Sequence, residues 1–216
     1  PEMLAVHCVH VDDEDIATLA EKGVDIAYCP RINAKLSMGS APLIKFLAAG
    51  IIVGLGTDSP AAVDTTDMID EMHTGLMITR ATSPDRRIHL RSDQMLRMAT
   101  INGARALHIE DSIGSLEIGK KADIIAVDLH NSHQNPTNNP ESAVIYTANQ
   151  DNVKMTMIDG KILYDNFTHV SGVDRDGIVA RANELRERIR ANVDNDELRE
   201  AMLDNASEDR RDRFNR

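Results

Sequence analysis

The amino-acid sequence predicts an α/β protein: parallel βα units in the first half, a small β portion after them, and a C-terminal helix. Three observations predict it. Short, continuously apolar runs alternate with capped helical segments over residues 4–107, the pattern of strands buried on both faces and joined by helical crossovers. From Ile113 the texture changes to short β segments broken by turns. Beyond Gly177 a helical spacing of apolar residues returns.

Local chemistry justifies each element in turn. Leu4 to Val9 reads as a buried strand with His7 late in it. Asp12 is the N-cap candidate of the next helix, with Asp15 at its third position, Ile16, Leu19 and Ala20 on one face, and Gly23 at its stop. Val24 to Cys29 reads as the second strand, and a loop over Pro30 to Ser40 leads to a helix with Pro42 in its first turn. In that helix Leu43, Phe46 and Leu47 point inward and Gly50 ends it. Ile51 to Leu55 is the third strand. Two further helices are expected, over about Thr66 to Arg80 and Ser92 to Leu107, the second capped by Ser92.

In the β portion, Ala122 to Val127 and Val144 to Thr147 read as strands joined by the Asn- and Pro-rich loop Asp128 to Pro140. Met155 to Ile158 and Ile162 to Tyr164 form a hairpin about Asp159-Gly160, a favoured two-residue turn. Ile178, Ala182, Leu185, Ile189 and Val193 fall on one face of a terminal helix, and the charged remainder to Arg216 is expected to be a solvated tail. The expected division is 1–112, 113–170 and 171–216.

Composition removes several classes of function. With 216 residues, 42% hydrophobic and 27% charged, the chain is soluble-globular in type rather than disordered. No run approaches the roughly 20 apolar residues of a membrane span, and the start lacks a signal-peptide layout, so a cytoplasmic protein with no membrane partner is expected. Cys8 and Cys29 are too few for a disulfide scaffold and have no zinc-site spacing, so they read as small buried residues. A net charge of -11 repels a polyanion, and 3% aromatics without tryptophan offer no stacking platform. A nucleic-acid polymer is not an expected partner.

In parallel βα architectures catalytic groups project from the C-terminal ends of strands. Two ionisable residues fall there: His7 on the first strand and Asp58, in Gly54-Leu55-Gly56-Thr57-Asp58-Ser59, after the third. Taken singly, such a His reads as a satisfied core residue and such an Asp as a loop cap. Strand alternation would aim His10 to the face opposite His7, so His10 reads as structural or loop-facing.

Together the surroundings say more. Leu4-Ala5-Val6-His7-Cys8-Val9-His10, Cys29-Pro30 with Asn33 and Lys35-Leu36, Gly39, Ala41-Pro42, and Gly54-Leu55-Gly56-Thr57-Asp58 resemble, in order, the sixth, seventh and eighth strand regions of the amidohydrolase superfamily. The resemblance continues through Met98-Ala99-Thr100 with Asn102-Gly103-Ala104, Ile113-Gly114-Ser115-Leu116 with Gly119-Lys120-Lys121-Ala122-Asp123, and Ile158-Asp159-Gly160-Lys161. It covers most of residues 4–166 and is specific to the branch of methylthioadenosine/S-adenosylhomocysteine deaminases, related aminohydrolases and triazine chlorohydrolases.

That resemblance implies the last three βα units of a (β/α)8 TIM-type barrel, part of a small β-sandwich, and a terminal helix. It makes Asp58 a ligand of one divalent ion, zinc or iron, and the base that takes a proton from the metal-bound water. It makes His7 a catalytic and substrate-contacting donor to the oxygen that develops at the tetrahedral carbon, worth a few kcal/mol. Asn33 is the further substrate-binding candidate. Lys35, Asp64 and His73 stand, like Asn33, equally as pocket or solvated loop residues.

The sequence also departs from the branch. Ala62 and Val63 lack the polar groups of the family Ser and Asn, and Ile32 replaces the serine before Asn33. None of the eight histidines forms the His-x-His pair of the first barrel strand, and His130 and His133 read as surface residues of a loop. One aspartate cannot hold a catalytic metal, and three strands cannot close an eight-stranded barrel. The expectation is therefore the C-terminal portion of a longer enzyme, inactive alone, that is completed by its N-terminal half or associates as a homo-oligomer. Three functional readings follow: a deaminase of a purine-like or other aminated small molecule, a chlorohydrolase or other aminohydrolase of the same superfamily, and a non-catalytic domain with a relic half-site.

Overall fold

A computed structural model describes residues 3–83, 85, 90–170 and 172–193. His89 and the expected tail beyond Val193 lie outside the described residues. The chain divides into two compact units, Pro1–Ser171 and Gly172–Arg216.

The first unit opens with βα units. Strand β1 (Leu4–Val6) leads to helix α1 (Asp13–Glu21), and β2 (Asp25–Tyr28) to the short α2 (Pro30–Lys35) and α3 (Leu43–Ala48). Strand β3 (Val53–Leu55) is followed by α4 (Pro60–Val63), α5 (Met68–Thr82), α6 (Ser92–Met98) and α7 (Ile101–Ala106). Among the described residues β1, β2 and β3 form a parallel sheet in that spatial order. Its central strand is well buried, with Ile26 and Tyr28 fully so, as a strand covered on both faces requires. Gly54 serves a close approach: a Cβ there would stand 3.0 Å from the Gly103 Cα, so α7 lies directly on β3.

The caps follow the sequence closely. Asp12 accepts from the backbone N–H groups of Glu14 and Asp15, while the Asp15 carboxylate accepts from the Asp12 N–H, closing a capping box. Asp67 caps α5 by accepting from Ile69 and Asp70. The core packs Ile26, Tyr28 and Val53 of the sheet against Leu43 and Phe46 of α3, Met72 and Leu76 of α5, and Met95 and Met98 of α6.

The second sheet is an antiparallel meander of β4 (Ile124–Val127), β5 (Val153–Ile158), β6 (Lys161–Asp165) and β7 (Thr168–His169). Its hairpin turns at Asp159 and Gly160, both with positive φ, the geometry that matches strand twist. Helix α8 (Pro140–Thr147) precedes β5, and α9 (Arg175–Val193) lies in the second unit.

Three elements differ from expectation. Part of the expected loop after β2 is helical, because Pro30 starts α2 with its φ already set. The expected helix over 92–107 is two helices: Thr100 leaves helical geometry at φ -130° and ψ -104°, and its hydroxyl donates to the Leu96 carbonyl. Its start also shifts, with Arg91 at the cap and Ser92 as first helical residue. Val144 to Thr147 is the end of α8 rather than a strand. Asn139 caps that helix, Pro140 begins it, and Ile145 is fully buried in the core of the α/β part.

Candidate active site

Parallel register brings the C-terminal ends of β1, β2 and β3 to one edge, since Val6 pairs with Ala27 and Tyr28 with Leu55. The chain leaves that edge through His7, through Cys29 into α2, and through Gly56-Thr57-Asp58. Strand β1 ends at Val6, one residue before His7, so strand alternation does not govern the aim of His7 and His10. His10 is exposed, as a loop-facing residue should be.

The His7 N–H donates to the Ala27 carbonyl at 3.1 Å, extending the ladder, and the Cys8 N–H turns back onto the Val6 carbonyl at 2.9 Å. That three-residue turn holds His7 at φ +67°, a conformation costing on the order of 1–3 kcal/mol for a residue with a Cβ. Asp58 is likewise left-handed, at φ +62°. Its Oδ1 accepts the Ser59 N–H at 2.6 Å, and its Oδ2 lies 3.5 Å from the His7 Nε2. The two side chains are 29% and 32% exposed, so water reaches both. The local cap on Asp58 therefore occupies one oxygen and leaves the other turned to His7.

Two groups in these strand-end segments are buried without a hydrogen-bond partner. The buried His7 Nδ1 makes no hydrogen bond, and neither does either amide atom of Asn33, which is 1% exposed on the first turn of α2. Leaving such groups unpaired costs about 1–3 kcal/mol each.

Glu71 of α5, absent from the sequence reading, belongs to the same edge. It is fully buried, and its Oε1 accepts the Arg31 N–H at 2.9 Å. Burial pushes its carboxyl up to about 7, against the lowering effect of the Arg31 N–H and guanidinium, with the Asp70 and Asp58 charges adding to the rise. The signal was present as an acid next to Met72 on the inward side of an amphipathic helix. Burial also pushes the Cys29 thiol up to about 12, with the charges of Glu71 and Asp58 contributing, so that thiol is inert as a nucleophile. Cys8 is free and half-buried.

The other candidates fall elsewhere. Lys35 and Asp64 form an exposed ion pair with each other. His73 Nδ1 lies 3.1 Å from the Ile145 carbonyl, His130 pairs with Asp128 at 2.8 Å, and His133 Nε2 lies 3.2 Å from the Thr147 carbonyl. Ile32 and Val63, two of the family departures, pack together with Cys29 in a small apolar cluster, with Ala62 against it. A cleft of about 940 Å³ lined by Arg97, Arg105, Glu110, Glu117 and Lys120 shares no residue with the His7–Asp58 edge and mixes both charge signs.

Residues 1–163 match the amidohydrolase family, the same stretch that carries the parallel strands, His7 and Asp58. The chain belongs to that family. Among curated relatives of this amidohydrolase chain, the 5-methylthioadenosine/S-adenosylhomocysteine deaminase of Moorella thermoacetica is 44% identical over 161 residues, covering 74% of this chain and 37% of the relative. The 5'-deoxyadenosine deaminase of Methanosarcina mazei is 38% identical over 193 residues, covering 89% and 44%. Of solved structures, a zinc-bound adenosine deaminase from Xanthomonas campestris superposes with a TM-score of 0.83 at 34% identity, covering 87% of this chain and 42% of that one. The zinc complex of atrazine chlorohydrolase from Arthrobacter aurescens superposes with a TM-score of 0.78 at 30% identity, covering 84% and 40%. The amidohydrolase chain thus spans about two fifths of the length of these relatives.

The donor chemistry of the edge fits part of a metal site. Asp58 Oδ2, free of backbone hydrogen bonds, is a donor that zinc accepts, yet a catalytic zinc takes three protein ligands. Among the described residues no group of three or more His, Cys, Asp or Glu side chains could hold a metal ion.

Proposed function

We propose that this chain supplies one side of the active site of a metal-dependent amidohydrolase that hydrolytically removes the amino group of a purine-like small molecule. The observation that carries the reading is the approach of His7 Nε2 to Asp58 Oδ2, 3.5 Å across adjacent strand-end loops, where this architecture concentrates its chemistry. In this reading the three parallel strands are the last three of a (β/α)8 barrel and the meander is part of a small β-sandwich. The open sheet supports it: Val6 on the edge strand β1 is 50% exposed, an apolar edge that a further strand would cover.

Asp58 would hold a divalent ion through Oδ2, beside donors contributed by further polypeptide. Such an ion, zinc or iron, supplies Lewis acidity that makes water a competent nucleophile at neutral pH. The Asp58 carboxylate then takes one proton from the attacking water as its oxygen bonds to the ring carbon. Asp58 returns that proton to the amino nitrogen, the carbon–nitrogen bond breaks, and ammonia leaves. His7, donating from Nε2, would steady the charge gathering on the oxygen that the water brings to the tetrahedral carbon. Asn33 offers one donor and one acceptor to the heterocycle. We place this chemistry in the cytoplasm, where the free thiols of Cys8 and Cys29 stay reduced.

Chloride release is the second reading, favoured by one observation: Ile32 and Val63 form an apolar cluster where polar contacts to a nucleoside would otherwise be available. The test is a chimera in which this chain replaces the matching segment of the Moorella thermoacetica deaminase. Ammonia from 5'-methylthioadenosine or S-adenosylhomocysteine supports deamination. Chloride from a chlorotriazine with no ammonia from either nucleoside overturns it in favour of the second reading, and a folded chimera that releases neither product overturns both.

A further inference from the structure

We propose that Glu71 is a positioning residue of this site: reaching from α5, it clamps the first turn of α2 and so fixes Asn33 for substrate. The inference rests on the reading of the strand-end edge as a deamination site.

The start of α2 has no cap of its own. The Cys29 side chain makes no cap hydrogen bond, and Pro30 has no N–H, so the first backbone donor is that of Arg31. Glu71 Oε1 takes it at 2.9 Å from another helix. The Arg31 side chain is held by the same region: its Nη2 lies 3.2 Å from Asp70 Oδ2, and its Nη1 donates to the Thr65 carbonyl at 3.4 Å. Backbone and side chain of one residue are thus tied at three points to α5 and the segment just before it. Gly75 permits the approach, since a Cβ there would stand 2.9 Å from the Pro30 Cγ.

A fully buried carboxylate flanked by Ile69 and Met72 is a costly way to fill space, and an apolar side chain of similar volume would serve packing better. What the carboxylate adds is direction. Asn33 lies two residues after the clamped N–H, fully buried with both amide atoms unpartnered, and a half-turn displacement of α2 would re-aim it. The second oxygen, Glu71 Oε2, has no hydrogen-bond partner and lies 4.0 Å from the Arg31 Nη1, so the clamp on the N–H itself uses a single acceptor that an amide oxygen can reproduce.

Amide hydrogen exchange on the 216-residue chain tests the clamp, comparing Glu71→Gln with Glu71→Leu. Gln should keep the protection of the Arg31 amide, while Leu should lower it about tenfold with the Ile26 and Val53 amides unchanged. In the chimera, Leu should raise KM for 5'-methylthioadenosine about tenfold with a smaller change in kcat, and Gln should restore KM. Unchanged Arg31 protection in the Leu variant, loss of protection throughout the sheet in step with it, or a Gln variant that behaves as Leu would each overturn the proposal. A chimera inactive with Glu71 in place counts against the deamination reading alone, and Arg31 exchange then decides the clamp by itself.

Discussion

Asp58 Oδ2 stands 3.5 Å from His7 Nε2, and the two residues share an unusual backbone state, both left-handed immediately beyond parallel strands. Neither conformation is favoured locally for a residue with a Cβ. The two left-handed residues lie at one sheet edge and hold their side chains at that separation.

In the chimera, His7→Ala should lower kcat about 10²–10³-fold, the usual loss when a donor to developing charge is removed. The bound metal should remain, because His7 is assigned to substrate and not to the ion. Steady-state kinetics with metal analysis checks this, and an unchanged kcat removes His7 from the mechanism.

Asn33 separates function from stability. Its amide is buried and unpaired, so Asn33→Leu should leave folding stability unchanged or raise it by about 1 kcal/mol, while kcat/KM in the chimera falls at least about tenfold. Urea unfolding of the 216-residue chain and turnover of the chimera are the two measurements. A large loss of stability would mark Asn33 as structural.

Stability should depend on pH through Glu71. Its carboxyl is raised from 4.5 to about 7 on folding, so between those values the folded chain holds a proton that the unfolded chain has released. The stabilisation is complete below pH 4.5 and is lost as pH rises through about 7, an effect of up to about 3 kcal/mol. Glu71→Gln should flatten the unfolding free energy across that window. An equal slope in both proteins would contradict the assignment.

Gly54→Ala should cost about 1–3 kcal/mol in urea unfolding, because the new Cβ would stand 3.0 Å from the Gly103 backbone and force α7 off β3. Gly23→Ala tests a different cause, since nothing lies within 4 Å of a Cβ there and only its φ of +64° opposes the change.

The parallel strands were legible from short apolar runs between capped helices, even though β1 is part-exposed and β2 begins with Asp25, and the Asp159-Gly160 turn because such residues accept two positive φ values most readily. The helix over 140–147 was not: Val144, Ile145, Tyr146 and Thr147 carry strand propensity, and only the Asn139-Pro140 start betrays the helix that the core then stabilises through Ile145. That His7, late in the first expected strand, and Asp58, beyond the third, fall at one sheet edge was legible from the strand pattern. Their approach was not, since it depends on two left-handed turns that propensity does not predict. The inward position of Glu71 was legible, but its partner was not, because a backbone N–H from a distant segment leaves no sequence pattern.

The most direct test of the account is paired metal analysis and ammonia release from 5'-methylthioadenosine in the chimera with Asp58 intact and with Asp58→Ala. Metal and turnover are expected with aspartate at position 58, and loss of turnover with reduced metal in the Ala variant. Full turnover by Asp58→Ala with its metal retained would contradict it.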